Sequence, residues 1–523
     1  MVNNKRNSHK RLAELREQIE ALTNENRRLE SENRRLRERI AEMEASIEET
    51  VSTAVSDAVR QATEPLLEAL AKANAEIERL NAIINKNSSN SSKPPSTDGF
   101  NRIPNSREPS GKPRGGQKGH PGRRLGLPEN IEELERRGIV ERRIIDNTNG
   151  ASKYISRYTI DIEVKVIVTE HRYANAGDLP ESLKNEVSYG DSLKAAVLLL
   201  SSEGMIADKR LSDIVSGLTN GVVNLSTATL YSFQKQLAQK VVESGVLKAI
   251  EQDLLDGEVM HTDDTGVRST ERIVYPKTRE GDAKPIYEQA KNKSFRVTIR
   301  TYSNERSTIY TVNPQKDKAG VERDGILPKF NNILCHDHES KFRSYGKKHA
   351  NCCEHLCRDL KGLYDTKNCG WAMAMRAFMY GMNEHKKKDL KAGIHFCDPQ
   401  KLAGFESEYD IFVEQGRAIL GQMEADELGR SDINAMLNRL TDYKDSYMLF
   451  IRDYKAPFTN NLAERDLRPE KTKDKISGPF RSWEGTVVHT QIRSVISTAK
   501  KRGMELLSTI DKFLKGEPIF QGT

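Results

Sequence analysis

The segment 460–469 places an amide, a carboxylate and a guanidinium on one predicted helix face. Asn461, Glu464 and Arg468 are three and four residues apart, so they are neighbours on a helix. We expect Pro469 to end this helix, because its ring cannot continue the hydrogen-bond ladder. A carboxylate held between an amide and a guanidinium suits a metal or phosphate site. An exposed, salt-bridged helix is the simpler interpretation of this stretch taken alone.

Two aspartates upstream follow short apolar segments that have the character of β-strands. Asp263 follows residues 258–262, and Asp337 follows residues 332–336. α/β folds place their sites at strand ends on one edge of the sheet, although a single strand-end aspartate is more often a cap or turn residue. Together with Glu464, these acids would repel one another unless a hard divalent cation neutralised them. Mg²⁺ is held by a few carboxylates plus substrate phosphates, and two such ions about 4 Å apart can serve phosphodiester chemistry.

The elements that must position these acids predict an α/β core. Further strands are expected at 295–302 and 307–312, and a helix after Asp337 carries His355 and Arg358. We assign residues 251–370 to the first part of the core, 371–452 to a helical insertion and 453–523 to closing helices. The last helix, at about 486–502, buries apolar side chains at 3.6-residue spacing.

Composition limits the class of protein. The 523 residues are 36% hydrophobic and 30% charged, with no apolar run long enough to cross a membrane. The six cysteines are too few for a disulfide scaffold, so a cytoplasmic protein is expected. The net charge of +7 is mild evidence for a polyanionic partner.

Residues 12–47 carry an uninterrupted heptad repeat. Leucines such as Leu22 and Leu29 occupy position d, and Asn26 and Asn33 occupy position a. Leucine at d with asparagine at a favours a parallel two-stranded coiled coil, so we expect residues 1–49 to mediate self-association. A long helix folded back on its own chain is the alternative. The heptad phase fails after Ile47, and residues 50–85 are predicted as a second helical segment.

Residues 86–125 have the composition of a flexible basic linker, with little to bury. Its cations could neutralise DNA phosphates as a minor-groove arm, or the segment could be a solvated tether. The candidate DNA-binding residues here are Lys112, Arg114, Lys118, Arg123 and Arg124.

Two smaller regions precede the core. Residues 126–190 are predicted as a small β-rich module, because residues 158–168 alternate apolar and polar side chains with period two. Residues 191–250 are predicted to be helical, with Ser226 as the N-cap of the second helix of a helix-turn-helix. Such patterns often arise by chance in helical proteins, so DNA contact here remains open.

Several motifs resemble the DDE transposases of insertion sequences. They are His261-Thr262-Asp263-Asp264-Thr265, the strand ending on Asp337, residues 460–465 with Arg468-Pro469, the glycine-rich stretch at 115–122, and Cys352, His355 and Arg358. The nearest resemblance is to insertion-sequence family sixty-six, in its large, TnpC-type protein. It covers most of the chain from about residue 85 onward.

The resemblance implies an RNase H-like catalytic core with a helical insertion before the glutamate. It also implies DNA strand cleavage at element ends and transfer of the 3′-hydroxyls to target DNA, with two Mg²⁺ (or Mn²⁺) ions. The acids carried over as catalytic and metal-binding are Asp263, Asp337 and Glu464. The family usually has Asp-Glu at the first site, so Asp264 remains a contender here. Double-stranded DNA is the implied partner, and a need for element-encoded helper proteins is left open.

A set of polar and basic residues is expected to contact DNA near these acids. His355 and Arg358 are expected near substrate phosphate, and a solvated basic loop is the alternative for the cations after Pro469. The full set is His355, Arg358, Asn461, Arg468, Lys471, Lys473, Lys475 and Arg481.

Zinc is not expected at 126–190 or at the Cys/His cluster that follows Asp337. Members of the family often carry paired cysteines before the catalytic domain, but residues 126–190 of this chain contain none. The cluster of His349, Cys352, Cys353, His355 and Cys357 crowds one helix and would point its side chains in different directions, so buried thiols are expected.

Two other functions fit the same residues. A non-catalytic, coiled-coil DNA-binding regulator, including a decayed transposase, would bind DNA without metal dependence. A structure-selective nuclease on the same fold would cleave DNA without joining it.

Overall fold

The computed structural model describes residues 2–84, 127, 130–150, 152–180, 183, 185–275, 285–291, 293–425, 427 and 429–520. The chain divides into two compact units, Met1–Lys86 and Asn87–Thr523. The predicted linker and its five basic candidates, from Lys112 to Arg124, lie outside the described residues. Within the described part, no helix combines the length and apolarity that crossing a bilayer requires.

The first unit is a single helix, α1 (Val2–Ile84), with Pro65 in its interior. The helix continues through residues 47–50 without a break, so the loss of heptad phase does not divide it into two helices. Its apolar side chains are exposed, with Leu22 69% and Leu29 46% accessible. Within Val2–Ile84 the helix makes no hairpin turn.

A five-stranded sheet forms the centre of the second unit. Its strands are β1 (Val259–Ser269), β4 (Phe295–Ser303), β5 (Thr308–Asn313), β6 (Ile333–His336) and β7 (Lys348–Asn351), in the order β5-β4-β1-β6-β7. The pairs β1–β4 and β4–β5 are antiparallel, whereas β1–β6 and β6–β7 are parallel. A separate hairpin joins β2 (Glu271–Val274) and β3 (Ile286–Gln289). The four strands predicted in this region, at 258–262, 295–302, 307–312 and 332–336, are present, and the mixed α/β core is confirmed.

Helices surround this sheet in three groups. Those before it are α2 (Ile131–Arg136), α3 (Asp191–Ser202), α4 (Asp208–Leu218), α5 (Thr227–Glu243) and α6 (Val246–Leu255). Those within and after it are α7 (Lys318–Asp324), α8 (Cys353–Lys367), α13 (Asn461–Ser477), α14 (Trp483–Lys501) and α15 (Leu506–Lys515). The predicted insertion is helical, with α9 (Gly370–Lys391), α10 (Pro399–Gln422), α11 (Arg430–Asp442) and α12 (Lys444–Arg452).

Two main apolar cores hold these layers together. One lies where α14 packs on β5 and on the helices α3, α5 and α15. The other lies inside the helical insertion and joins α8 to α9–α12 through side chains such as Trp371, Met375 and Leu437. The insertion therefore has its own core and meets the sheet at the end of β7, where α12 packs.

The prediction that Pro469 ends its helix is wrong. α13 continues to Ser477, eight residues beyond the proline. Proline removes one backbone donor from the helix, but α13 packs on β1 and β4 and buries Leu462, Ala463 and Leu467. This tertiary packing offsets the lost hydrogen bond.

The predicted β-rich module is also wrong for the residues that the structure describes. Residues 158–168 have no regular secondary structure and belong to no sheet, and their apolar side chains are exposed, Ile162 by 85%. Between 127 and 190, the described regular elements are α2 and one short 3₁₀ helix at Ala176–Asp178. Alternation specifies an extended chain, but a strand also requires a neighbouring strand to pair with.

The helix-turn-helix pattern gives the predicted helices, α4 and α5. The Ser226 side chain caps α5 by accepting a hydrogen bond from the Thr229 backbone N–H at 3.0 Å. The connection of eight residues between the two helices is longer than the three or four typical of a DNA-binding helix-turn-helix.

Candidate functional site

The parallel pairing of β1 with β6 brings two predicted acids to the same level of the sheet. His261 lies opposite Cys335 in this register, so Asp263 and Asp337 follow at equivalent positions. Asp337 comes directly after the last residue of β6. Because successive strand residues point to opposite faces, Asp263 and its neighbour Asp264 face opposite sides of β1.

Asp263 is held in an unfavourable environment for a negative charge. Burial raises its pKa well above the ordinary value, and repulsion from Asp337 and Asp264 raises the pKa further. Its Oδ1 accepts a hydrogen bond from the Asp264 backbone N–H at 2.7 Å. A carboxylate in this position favours a nearby cation.

Asp264 has a different environment, in which its charge is already neutralised. Its side chain is 1% exposed and lies 3.3 Å from Arg300, 3.1 Å from Lys316 and 2.6 Å from Lys341. Lys341 also pairs with Glu339, two residues after Asp337. Asp264 therefore joins β1 to β4 and to the segment that carries Asp337.

Glu464 reaches Asp337 from the first turn of α13, and an imidazole lies between the two carboxylates. His355 Nδ1 is 3.2 Å from Asp337 Oδ1 and 3.8 Å from Glu464 Oε1. The Cys352 thiol completes a group whose four ligand atoms all lie within 4.8 Å of one another. Cys352 precedes α8, and its backbone N–H donates to the His336 carbonyl at 3.0 Å, which ties the start of α8 to the end of β6.

The charges of His355 and Asp337 shift each other's pKa. Burial lowers the pKa of His355, but the adjacent Asp337 carboxylate and Cys352 thiol more than offset this effect and raise the pKa to about 11. Burial raises the pKa of Asp337, but the His355 imidazole outweighs it and holds that pKa below its ordinary value. The protonated imidazole therefore supplies the positive charge that the two carboxylates require.

Three buried atoms of the group make no hydrogen bond of good geometry with any described residue. They are Asp337 Oδ1, His355 Nδ1 and Glu464 Oε1. Buried polar atoms normally have partners, so their convergence indicates a cation site. Asp263 is not one of the four grouped residues, although its charge interacts with that of Asp337. Carboxylates are the hard ligands that Mg²⁺ or Mn²⁺ prefers, so Asp337, Glu464 and the nearby Asp263 fit such an ion.

Asn460 fixes α13 against the sheet. Its buried side chain donates from Nδ2 to the Thr262 carbonyl at 2.9 Å, and its Oδ1 lies 3.1 Å from His261 Nδ1. Its backbone N–H donates to Cys352 Sγ at 3.3 Å. This residue therefore connects β1, α8 and α13 at the point where the acids meet.

The other acids of α13 point away from the site into structural ion pairs. Asp466 accepts hydrogen bonds from Ser303 and Thr308 and pairs with Lys501 at 2.7 Å. Glu470 lies 2.7 Å from His489 Nε2. Among the acids of α13, this leaves Glu464 as the one that reaches Asp337.

The predicted DNA-contacting residues differ in exposure. Asn461, Arg468, Lys475 and Arg481 are exposed, whereas His355, Arg358 and Lys471 are partly buried. Lys471 is close enough to Asp263 to lower its pKa.

Lys473 has a separate environment. Its ammonium lies 3.2 Å from the centroid of the Phe480 ring, and burial lowers its pKa to about 8. Lys473 is thus packed against the protein, whereas Lys475 and Arg481 are presented to solvent.

Several residues of the site carried little signal in the sequence. Asn460 belongs to the recognised motif, but no separate role for it was evident from the sequence. The cations around Asp264 come from β4 and two later segments. Cys352 was named in the family resemblance and in the crowded Cys/His cluster, but its proximity to Glu464 could not be seen from the sequence.

Comparison with known proteins identifies a family to which this chain is similar. The model of the "Transposase IS66 family" matches residues 186–487, which is more than half of the chain and includes all three acids. Residues 51–125 match a family of unknown function, DUF6444. Over 76 residues the chain is 34% identical to "Uncharacterized protein y4jO" of Sinorhizobium fredii, a match that covers 14% of this chain and 24% of that protein. No solved structure matches. The match over residues 186–487 shows that the chain belongs to the IS66 transposase family.

Proposed function

We propose that this protein is a DNA transposase that cleaves the ends of its element and joins the 3′-hydroxyls to target DNA. The observation that carries the proposal is the meeting of Asp337 and Glu464, whose buried oxygens make no hydrogen bond of good geometry with the described residues, near the raised-pKa carboxylate of Asp263. Asp337 and Glu464 are distant in sequence but meet beside the end of β6, and Asp263 is close enough to Asp337 for their charges to interact. Such an arrangement is costly without a bound cation and a function.

We also propose that the core is RNase H-like. The support is the strand order β5-β4-β1-β6-β7, with three antiparallel strands followed by two strands parallel to β1. The helical insertion between β7 and α13 lies where the resemblance to DDE transposases expects it.

In this mechanism each residue has a distinct role. Asp263, Asp337 and Glu464 would hold the divalent ions, which when bound would supply activation of the attacking oxygen and stabilisation of the leaving oxygen. We assign the first position to Asp263, because Asp264 is already enclosed by three cations. His355 donates a proton or hydrogen bond toward the Asp337 carboxylate and keeps it ionised.

The DNA path runs along the exposed side of α13 and the loop after it. Arg468, Lys475 and Arg481 are exposed there, and Lys471 lies near Asp263. Arginine and lysine at these positions would neutralise backbone phosphates without reading sequence. Binding to chromosomal DNA would place the protein in the nucleoid.

Self-association through α1 is part of the proposal. Its exposed leucines at position d would be covered by a second copy in a parallel coiled coil. We expect Leu22→Glu with Leu29→Glu in the full-length chain to halve the mass measured by analytical ultracentrifugation. Asn24→Glu with Ser31→Glu adds the same charge at outer heptad positions and is the matched control. A mass that is identical for all three proteins would argue against the coiled-coil dimer.

The catalytic proposal is tested with purified full-length protein and labelled DNA that flanks its gene. Glu464→Gln should reduce cleavage and joining about a hundredfold or more, because a metal-binding carboxylate is lost. Glu484→Gln is the matched control, since Glu484 occupies the first turn of α14 as Glu464 occupies that of α13. It should leave both reactions unchanged.

Other outcomes separate the alternative functions. Cleavage without joining would favour a nuclease, and DNA binding that needs no divalent ion, with no cleavage, would favour a regulator. Unimpaired cleavage by Glu464→Gln would contradict the assignment of this acid.

A further inference from the structure

We propose that Asp337, Cys352, His355 and Glu464 form a four-donor site for a thiophilic divalent cation of the Zn²⁺ class. This site differs from the all-carboxylate Mg²⁺ site in two of its donors, a thiol and an imidazole. It goes beyond the proposed function and does not require it.

The spacing of the donors fits tetrahedral coordination. The distances from His355 Nδ1 to the Asp337 and Glu464 oxygens are 3.2 and 3.8 Å. Four ligands at the Zn²⁺ distances of about 2.0–2.3 Å are separated from one another by roughly 3.3–3.8 Å in a tetrahedron. Only small movements of side chains would therefore bring the four atoms, now all within 4.8 Å, onto one ion.

The chemistry of the donors selects the ion. Zn²⁺ and its probe Co²⁺ bind Cys sulfur, His nitrogen and carboxylate oxygen, often in mixed sets. Mg²⁺ requires oxygen ligands in a near-octahedral arrangement at shorter ligand separations. A site that offers one sulfur, one nitrogen and two carboxylates therefore prefers the softer ion.

Residues outside the four donors already hold those donors in position. The donors come from three separate places, the end of β6, the start of α8 and the first turn of α13, and Asn460 braces them. Its backbone N–H donates to Cys352 Sγ, a hydrogen bond that would also stabilise a metal-bound thiolate. Binding would replace the thiol proton and the imidazolium proton, which are released to solvent.

Occupancy by such an ion has a consequence for the carboxylate site. Asp337 and Glu464 would be held in tetrahedral geometry and withdrawn from Mg²⁺. We therefore expect Zn²⁺ to compete with Mg²⁺ at this position and to inhibit any Mg²⁺-dependent reaction of the protein.

The test is a titration of metal-free, full-length protein with Co²⁺, followed by absorption spectroscopy. One equivalent should produce a sulfur-to-cobalt charge-transfer band and intense visible bands typical of tetrahedral Co²⁺. Cys352→Ser should abolish the charge-transfer band and weaken binding about tenfold or more. Cys357→Ser is the matched control, because Cys357 is also buried near the start of α8 but lies outside the donor group.

A second variant distinguishes the loss of one metal ligand from a general loss of folding. His355→Asn, checked by circular dichroism, should keep the charge-transfer band but weaken binding by a similar factor. Absence of a charge-transfer band in the folded wild-type protein, or its persistence in Cys352→Ser, would overturn the proposal. Because no DNA is present, failure to bind Co²⁺ leaves the transposase proposal unaffected, and absence of transposition leaves the Co²⁺ result standing.

Discussion

Replacing Asp263 and replacing Asp264 should change the free energy of unfolding in opposite directions. Asp263 is a partly buried carboxylate, and its pKa is raised by desolvation and by repulsion from Asp337 and Asp264. Removing its charge with Asp263→Asn should stabilise the metal-free protein. Asp264→Asn should destabilise it, because Arg300, Lys316 and Lys341 would each lose one of the two carboxylates that pair with them.

The magnitudes follow from these environments. A charge kept for function in an unfavourable environment lowers the stability of the protein, and a single stabilising substitution typically raises the free energy of unfolding by about 0.5–2 kcal/mol. Breaking a buried ion pair by removing one partner typically costs about 3–5 kcal/mol. Lys316 is half exposed, so solvent screens its share, and we expect Asp264→Asn to lie near the lower end, at about 3 kcal/mol.

The pH dependence gives this prediction a second test. A raised pKa means that folded Asp263 binds its proton more tightly than the unfolded chain does. Its contribution to stability is fully present below pH 3.8, the ordinary value, and is lost as the pH rises through the folded pKa. The gain from Asp263→Asn should therefore be greater at pH 8 than at pH 5.

The assay is urea unfolding in EDTA, followed by the fluorescence of the two tryptophans, Trp371 and Trp483. Trp483 lies in the same apolar cluster as Val267 of β1 and therefore reports on unfolding of the sheet. If Asp263→Asn destabilised the protein and Asp264→Asn did not, our assignment of the two aspartates would be reversed.

Three further predictions follow from other contacts. Asn460→Ala should lower the free energy of unfolding by roughly 2–4 kcal/mol, because two buried partners on β1 lose their hydrogen bonds; an unchanged urea midpoint would contradict this role. Burial lowers the pKa of His261 to about 4 and that of His336 to about 3. The unfolded chain therefore binds more protons, and the urea midpoint should fall as the pH drops from about 6.5 to 4.5; a constant midpoint would refute this. Gly416→Ala should lower the free energy of unfolding by about 1–3 kcal/mol, because its Cβ would lie 2.6 Å from Leu437 and 2.7 Å from Trp371. Gly404→Ala, on the same helix but facing open space, should be neutral or stabilising by about 1 kcal/mol. Thermal unfolding of the two variants measures this difference.

The sequence alone determined the elements that carry the chemistry. The strands that lead to Asp263 and Asp337 were predictable because alternation and apolar runs are local properties. The helix of Glu464 and the helical insertion were predictable for the same reason. The exposed heptad face of α1 also follows from local periodicity.

Local patterns were insufficient where a partner element decides the outcome. The alternation at 158–168 predicted a strand, but no described segment pairs with it. Pro469 predicted the end of a helix, but packing against β1 and β4 sustains α13 beyond it. In both cases the deciding interaction comes from residues distant in the chain.

Only the tertiary structure decided how the acids differ from their neighbours. Asp263 and Asp264 are equivalent in composition, and their distinction comes from the sheet face that each occupies and from cations on other segments. Likewise, His355 and Cys352 join Asp337 and Glu464 because β6, α8 and α13 converge, with Asn460 contacting His261 across 199 positions of sequence. Periodicity specifies each element, but long-range packing alone specifies which side chains share a site.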